Sequence, residues 1–98
     1  MDITVEELKE KMDKGDTFNF LDVRNEYEYE EQNLGAKLIP LNELPDRLDE
    51  IEAWKNEEII VHCRSGARSG QAKAFLTANG YTNVRNVLGG ILAWNQLD

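Results

Sequence analysis

The chain has 98 residues, 41% of them hydrophobic, and a formal net charge of −8. That length holds one domain with its own core, and the lone cysteine excludes an internal disulfide. One cysteine and one histidine cannot supply a structural zinc site, and an acidic chain with no basic stripe excludes nucleic acid as a natural partner. Thr4 followed by Glu7 forms a capping box, and Val5, Leu8 and Met12 share one face of a first helix that stops at Gly15. Phe18 to Val23 reads as a strand ending in Asp22-Val23-Arg24, after which Asn25 caps a short helix through Tyr27 and Tyr29. Ala36 to Leu41 reads as a second strand closed by Pro40. Asn42 caps the next helix, with Pro45 in its first turn and Leu44, Leu48, Ile51 and Trp54 as its buried stripe.

Glu58 to His62 is a continuous apolar run of the kind buried on both faces of a sheet. Ala67 to Asn79 then reads as a helix with Ala72, Phe75 and Leu76 inward, stopped by Asn79-Gly80. Val84 to Val87 is a further strand, and Gly89-Gly90 turns the chain into a final short helix carrying Ile91, Leu92 and Trp94. Strands alternating with helices mean βαβ units, hence an α/β fold with a mainly parallel sheet covered on both faces. In such sheets ligands bind at the carboxyl ends of the strands. Asp22–Arg24 and Cys63–Arg68 both lie there, so both belong on one rim. No linker, repeat or low-complexity segment divides residues 1–98, which read as a single domain.

The segment His62-Cys63-Arg64-Ser65-Gly66-Ala67-Arg68-Ser69 carries the chemistry. It sets the only cysteine between a strand and a helix start, beside two arginines. Helix N–H groups and fixed cations both favour thiolate over thiol and favour a bound anion. A reactive cysteine of this kind needs a thiolate, donors that stabilise its negative charge, and room for an anionic ligand. Cys63 supplies the nucleophile. Backbone N–H groups from Arg64 through Ala67 to Ser69 can converge on it, and Gly66 permits a backbone angle that a larger residue resists. Arg64 and Arg68 suit an anionic ligand, while Ser65 and Ser69 are hydrogen-bond donors. By strand alternation His62 points away from Cys63, as a packed and satisfied histidine. Asp22 reads either as a brace accepting from the loop N–H groups or Arg68, or as half of an ordinary strand-end salt bridge. Trp54 and Trp94 read as packing residues. The acidic runs Glu26, Glu28, Glu30, Glu31 and Asp46 to Glu58 read as solvated surface.

The chain resembles the single-domain rhodaneses nearly end to end. The resemblance lies in Leu21-Asp22-Val23-Arg24, in Gly35-Ala36 leading to Ile39-Pro40, in the loop from Cys63 to Ser69, and in Leu88-Gly89-Gly90-Ile91-Leu92-Ala93-Trp94. It implies a rhodanese-like three-layer fold with about four to five strands. It also implies sulfurtransferase activity: Cys63 takes sulfane sulfur from a small anionic donor such as thiosulfate and passes it to a nucleophile. The family's Gly-His-Ile-Pro-Gly-Ala run is replaced by Glu31-Gln32-Asn33-Leu34-Gly35-Ala36, which lacks the histidine and the proline. Supporting roles fall to Asp22 and Arg24. With no second cysteine, the sulfur must leave to an external thiol or a sulfur-acceptor protein, and no cofactor is called for.

Two other readings stand beside this one. Cysteine phosphatases, and the arsenate reductases that share the fold, resemble a loop with five residues between cysteine and arginine, whereas four separate Cys63 from Arg68. The tighter ring suits one sulfur atom better than a tetrahedral phosphate. The fold also serves as a non-catalytic binding module where the cysteine is lost. Nothing reaches the length of a membrane span, and Met1-Asp2-Ile3-Thr4 has neither the basic nor the apolar part of a secretory signal. The expectation is a cytoplasmic monomer with a reduced thiol.

Overall fold

The computed structural model describes residues 1–98. Helix α1 spans Val5–Asp13 and begins as the capping box requires: the Glu7 N–H donates to Thr4 Oγ1 at 3.1 Å, and the Thr4 N–H donates to Glu7 Oε1 at 3.0 Å. Strand β1 is Asn19–Asp22, α2 is Glu26–Glu31, and β2 is the two-residue Lys37–Leu38. Then come β3 at Glu58–His62, α3 at Ala67–Ala78, β4 at Asn83–Asn86 and α4 at Gly90–Trp94. The four strands form one parallel sheet in the order β2-β1-β3-β4, with Asp22 level with His62 and Val61 level with Asn86. A single parallel bridge, Ile3 to Val87, extends the β4 edge. The strand count therefore sits at the lower end of the expected range.

Alternation along β3 sorts the core into two layers. Ile59, Val61 and Cys63 pack with Leu44, Ile51, Ala72 and Leu76 on one face. Ile60 packs with Ile3, Val5, Leu8 and Val87 on the other, flanked by Phe20 and Trp94. Trp54 and Trp94 are both partly buried against these layers, as packing residues. No helix is long and apolar enough to cross a membrane.

Several elements depart from the sequence expectation: the first strand is Asn19–Asp22 where Phe18 to Val23 is expected, and α3 stops at Ala78, one residue before Asn79. The second strand is shorter than Ala36–Leu41, although extended pairing continues beyond it: the Ile39 N–H donates to the Asp22 carbonyl at 2.9 Å and the Leu41 N–H to the Val23 carbonyl at 3.1 Å. Pro40 has no N–H with which to extend the ladder. The fourth strand ends at Asn86, one residue early, and Val87 turns to Ile3 instead. The segment Leu41–Trp54 is not an α-helix capped by Asn42. It is a run of 3-10 turns beginning after Pro40, interrupted at Arg47 and Ile51, whose φ values are −122° and −124°. Pro45 lacks the N–H an α-helical ladder needs, and Leu41, Leu44, Leu48, Ile51 and Trp54 still reach the core because their spacing is close to three.

Candidate active site

The apolar run of β3 ends at His62, and the chain then closes a ring around the sulfur of Cys63. Gly66 makes the turn at φ 101°, a left-handed value that a side chain resists, and α3 starts at the next residue. Cys63 Sγ receives the Gly66 N–H at 3.1 Å and the Ser69 N–H at 3.3 Å, and the Ser69 hydroxyl lies 3.3 Å away. Burial pushes the Cys63 thiol up, but hydrogen bonds from Ser69, Gly66 and Ser65 outweigh it and bring the thiol below its ordinary value. Cys63 is buried while Arg64, Ser65 and Ala67 are exposed, so the way from the sulfur to solvent runs through the loop and not through the core.

The outer carbonyls of the ring are held from far along the chain. At the start of α4 the Ile91 N–H donates to the Cys63 carbonyl and the Leu92 N–H to the Arg64 carbonyl, both at 3.0 Å. These are helix N-terminal donors that have no partner within their own helix. Gly90 permits the approach: a Cβ there would sit 2.4 Å from the Cys63 carbonyl oxygen. At the other end of the ring, Asn86 donates through Nδ2 to the Gly66 carbonyl at 3.1 Å and accepts from the Ser69 hydroxyl at 2.5 Å.

The two loop arginines have separate surroundings. Arg68 is held by Glu28 in a two-pronged pair, at 2.7 and 2.9 Å. That pairing, helped by the Asn25 N–H, holds the Glu28 carboxyl down at about 2. Arg64 makes no ion pair and lies exposed in the wall of an open cleft of about 380 Å³ beside the loop. Of the two arginines expected to receive an anionic donor, only Arg64 is free.

Asp22 does not brace the loop. Its carboxylate takes the Arg24 N–H at 2.9 Å and the Arg24 guanidinium at 2.8–3.1 Å, so the strand-end salt bridge is the correct alternative. Both residues are buried, and Arg24 also donates to the Gln32 carbonyl at 2.7 Å. It thereby seats α2, which carries Glu28, against the end of β1. The Asp22–Arg24 pair supports the loop through α2 and Glu28.

Gln32, in the run that departs from the family pattern, pairs amide to amide with Asn95 at 2.6 and 3.1 Å, and both residues line the cleft. His62 points to the face opposite Cys63 and packs on Phe20 with ring centroids 5.1 Å apart. It is packed but not satisfied, because neither ring nitrogen has a hydrogen-bond partner; Asp22 Oδ2 lies 3.5 Å from Nε2. Burial pushes its pKa down, against the pull of Asp22. Sequence reasoning missed Glu28, Asn86 and the bracing role of Gly90. The sequence places Glu28 among solvated acids, and its only local signal is its capping position three residues after Asn25.

A family model described as the rhodanese-like domain matches residues 4–97. The chain is 37% identical over 94 residues to a putative sulfur carrier protein, YrkF, of Bacillus subtilis, covering 95% of this chain but only 50% of that protein. It is 35% identical over 94 residues to a sulfurtransferase of Allochromatium vinosum, covering 95% of this chain and 86% of that one. Among solved structures, a rhodanese-like domain protein from Staphylococcus aureus superposes with a TM-score of 0.86 at 38% identity, covering 96% of this chain and 91% of that one.

Proposed function

The chain belongs to the rhodanese-like domain family, and on that footing we propose that it transfers sulfane sulfur from thiosulfate to an external acceptor through a persulfide on Cys63. The observation that carries this reading is the convergence of the Gly66 and Ser69 N–H groups on the Cys63 sulfur, which lowers the thiol's pKa in spite of its burial. In the first half-reaction the Cys63 thiolate attacks the outer sulfur of thiosulfate. A sulfur–sulfur bond forms, the bond to the sulfonate sulfur breaks, and sulfite leaves with the electron pair. Arg64, the free cation of the cleft wall, draws the sulfonate and offsets the charge of the departing sulfite.

The terminal sulfur then carries the negative charge within reach of the loop N–H groups. In the second half-reaction an acceptor nucleophile, a thiolate or cyanide, bonds to that terminal sulfur and Cys63 leaves as thiolate. Two covalent half-reactions predict ping-pong kinetics. The chain has one cysteine, so it cannot resolve the persulfide internally and needs an outside thiol or acceptor protein. Phosphate ester hydrolysis fits less well, because Glu28 engages the arginine that would have to hold the phosphate.

The test is intact mass after incubation of reduced protein with thiosulfate, in parallel with Cys63→Ser. One added sulfur atom, absent from the variant and removed by cyanide as thiocyanate, is the expected result. Folded, reduced protein that gains no sulfur would overturn thiosulfate as the donor.

A further inference from the structure

The Ser69 hydroxyl has one proton and two neighbours that compete for it. Its Oγ lies 2.5 Å from Asn86 Oδ1 and 3.3 Å from Cys63 Sγ. The orientation of the Asn86 amide follows from its other end, where Nδ2 donates to the Gly66 carbonyl, an atom that only accepts. The atom turned toward Ser69 is therefore oxygen, and the hydroxyl must be the donor. With its proton so placed, Ser69 meets the sulfur as an acceptor, and the Cys63 S–H donates to it. This is the arrangement of a neutral thiol: S–H to hydroxyl oxygen, hydroxyl proton to amide oxygen.

Ionisation inverts the demand, because a thiolate only accepts. We propose that Asn86 is a positioning residue for the nucleophile, holding the Ser69 hydroxyl proton while Cys63 is a thiol and yielding it, by rotation about the Cβ–Oγ bond, when the thiolate forms. In the persulfide the charge moves to the terminal sulfur, Sγ becomes a neutral bridging atom, and the hydroxyl proton returns to Asn86. Asn86 cannot follow the hydroxyl, since it is buried and anchored twice, by Nδ2 to Gly66 and by its own N–H to Asp2 Oδ1 at 3.0 Å. Of the charged and titratable groups in this part of the fold, Asp2 pairs with Lys73, Arg68 with Glu28, and Asp22 with Arg24 and, at 3.5 Å, with His62, while Arg64 has no ion pair. None of them hydrogen-bonds to Ser69 Oγ or Asn86 Oδ1, so the relay has two members besides the sulfur.

The relay rests on Cys63 acting as the nucleophile proposed above, but its test needs no sulfur donor. Thiolate ultraviolet absorbance is titrated against pH in the parent chain, Asn86→Ala, Ser69→Ala and the double variant, with Cys63→Ser as the baseline. The method also needs no reagent to reach the buried sulfur. Losing the amide oxygen weakens the thiol form, so Asn86→Ala should lower the titration midpoint by about 0.7, the equivalent of one neutral hydrogen bond, relative to the same substitution made in Ser69→Ala. Loosening of the loop acts equally in both backgrounds and cancels in that difference. The same midpoint change in both backgrounds would leave Asn86 a mere loop support and overturn the relay. Should Asn86→Ala fail to fold, Asn86→Asp keeps the shape and a stronger acceptor toward Ser69, giving up the bond to the Gly66 carbonyl equally with and without Ser69. It should raise the midpoint further when Ser69 is present than when it is absent, and an equal rise would overturn the relay.

Discussion

Replacing Glu28 with glutamine keeps the shape of the Arg68 partner and removes its charge. In the unfolded chain Glu28 takes up its proton near the ordinary 4.5, whereas in the folded chain it does so at about 2. Between those values the unfolded state binds more protons, so the stability this group contributes is fully present above pH 4.5 and is lost as pH falls toward 2. The gap of 4.5 minus about 2 sets a ceiling of about 3 kcal/mol at 1.36 kcal/mol per pK unit. The Arg68 side chain is 31% exposed and that of Glu28 14%, so solvent screening reduces the expected effect to about 1–2 kcal/mol. Urea denaturation of the parent chain and Glu28→Gln measures it, and on heating each kcal/mol corresponds to roughly 4–8 °C in Tm. The difference between the two proteins should be largest at pH 7 and vanish near pH 2. The other low-titrating carboxylates, Asp2, Glu7 and Glu50, are common to both proteins and cancel. A difference that stayed constant down to pH 2, or was absent at pH 7, would refute the reasoning, because neither outcome fits a charge that titrates.

Arg64→Ala should raise KM for thiosulfate about ten- to hundredfold, the loss of one charged hydrogen bond. Rates with a neutral sulfur donor should move far less, and steady-state kinetics on the two donors checks this. His62→Leu should stabilise the fold by about 1 kcal/mol at pH 7, because it replaces a buried side chain whose two nitrogens lack partners. The gain should grow below the ordinary histidine value of 6.5: there the unfolded parent chain binds a proton that the folded His62, with its depressed pKa, resists. Denaturant midpoints at pH 7 and pH 5 measure both parts.

What was legible in the sequence was what is local in the chain. The Thr4–Glu7 box, the apolar run into His62 and the loop from Cys63 to Ser69 each place their determinants within a few residues, so spacing alone predicts their geometry. The partners of the loop lie far off: Glu28 is 40 positions from Arg68 and Asn86 is 17 from Ser69. Such pairs depend on which strands become neighbours, and no periodicity encodes that. Glu28 sits among other acids with nothing to set it apart, and an asparagine at the end of a strand is as common in turns as in sites. The 3-10 segment is hard to read for another reason: apolar residues three and four apart serve both helix types, and Pro45 withholds an N–H from an α-helical ladder that starts at Leu41.

The hold of α4 on the loop carbonyls has a consequence for how this chain comes into being. The groups that touch the sulfur are the loop's own, but their supports come from elsewhere: Glu28 from before the loop, Asn86, Ile91 and Leu92 from after it. Loop closures of that length form late, when the strands have already paired. A chain whose strands have not yet paired lacks these supports, so the donors on the Cys63 sulfur gain their fixed geometry only with the native fold.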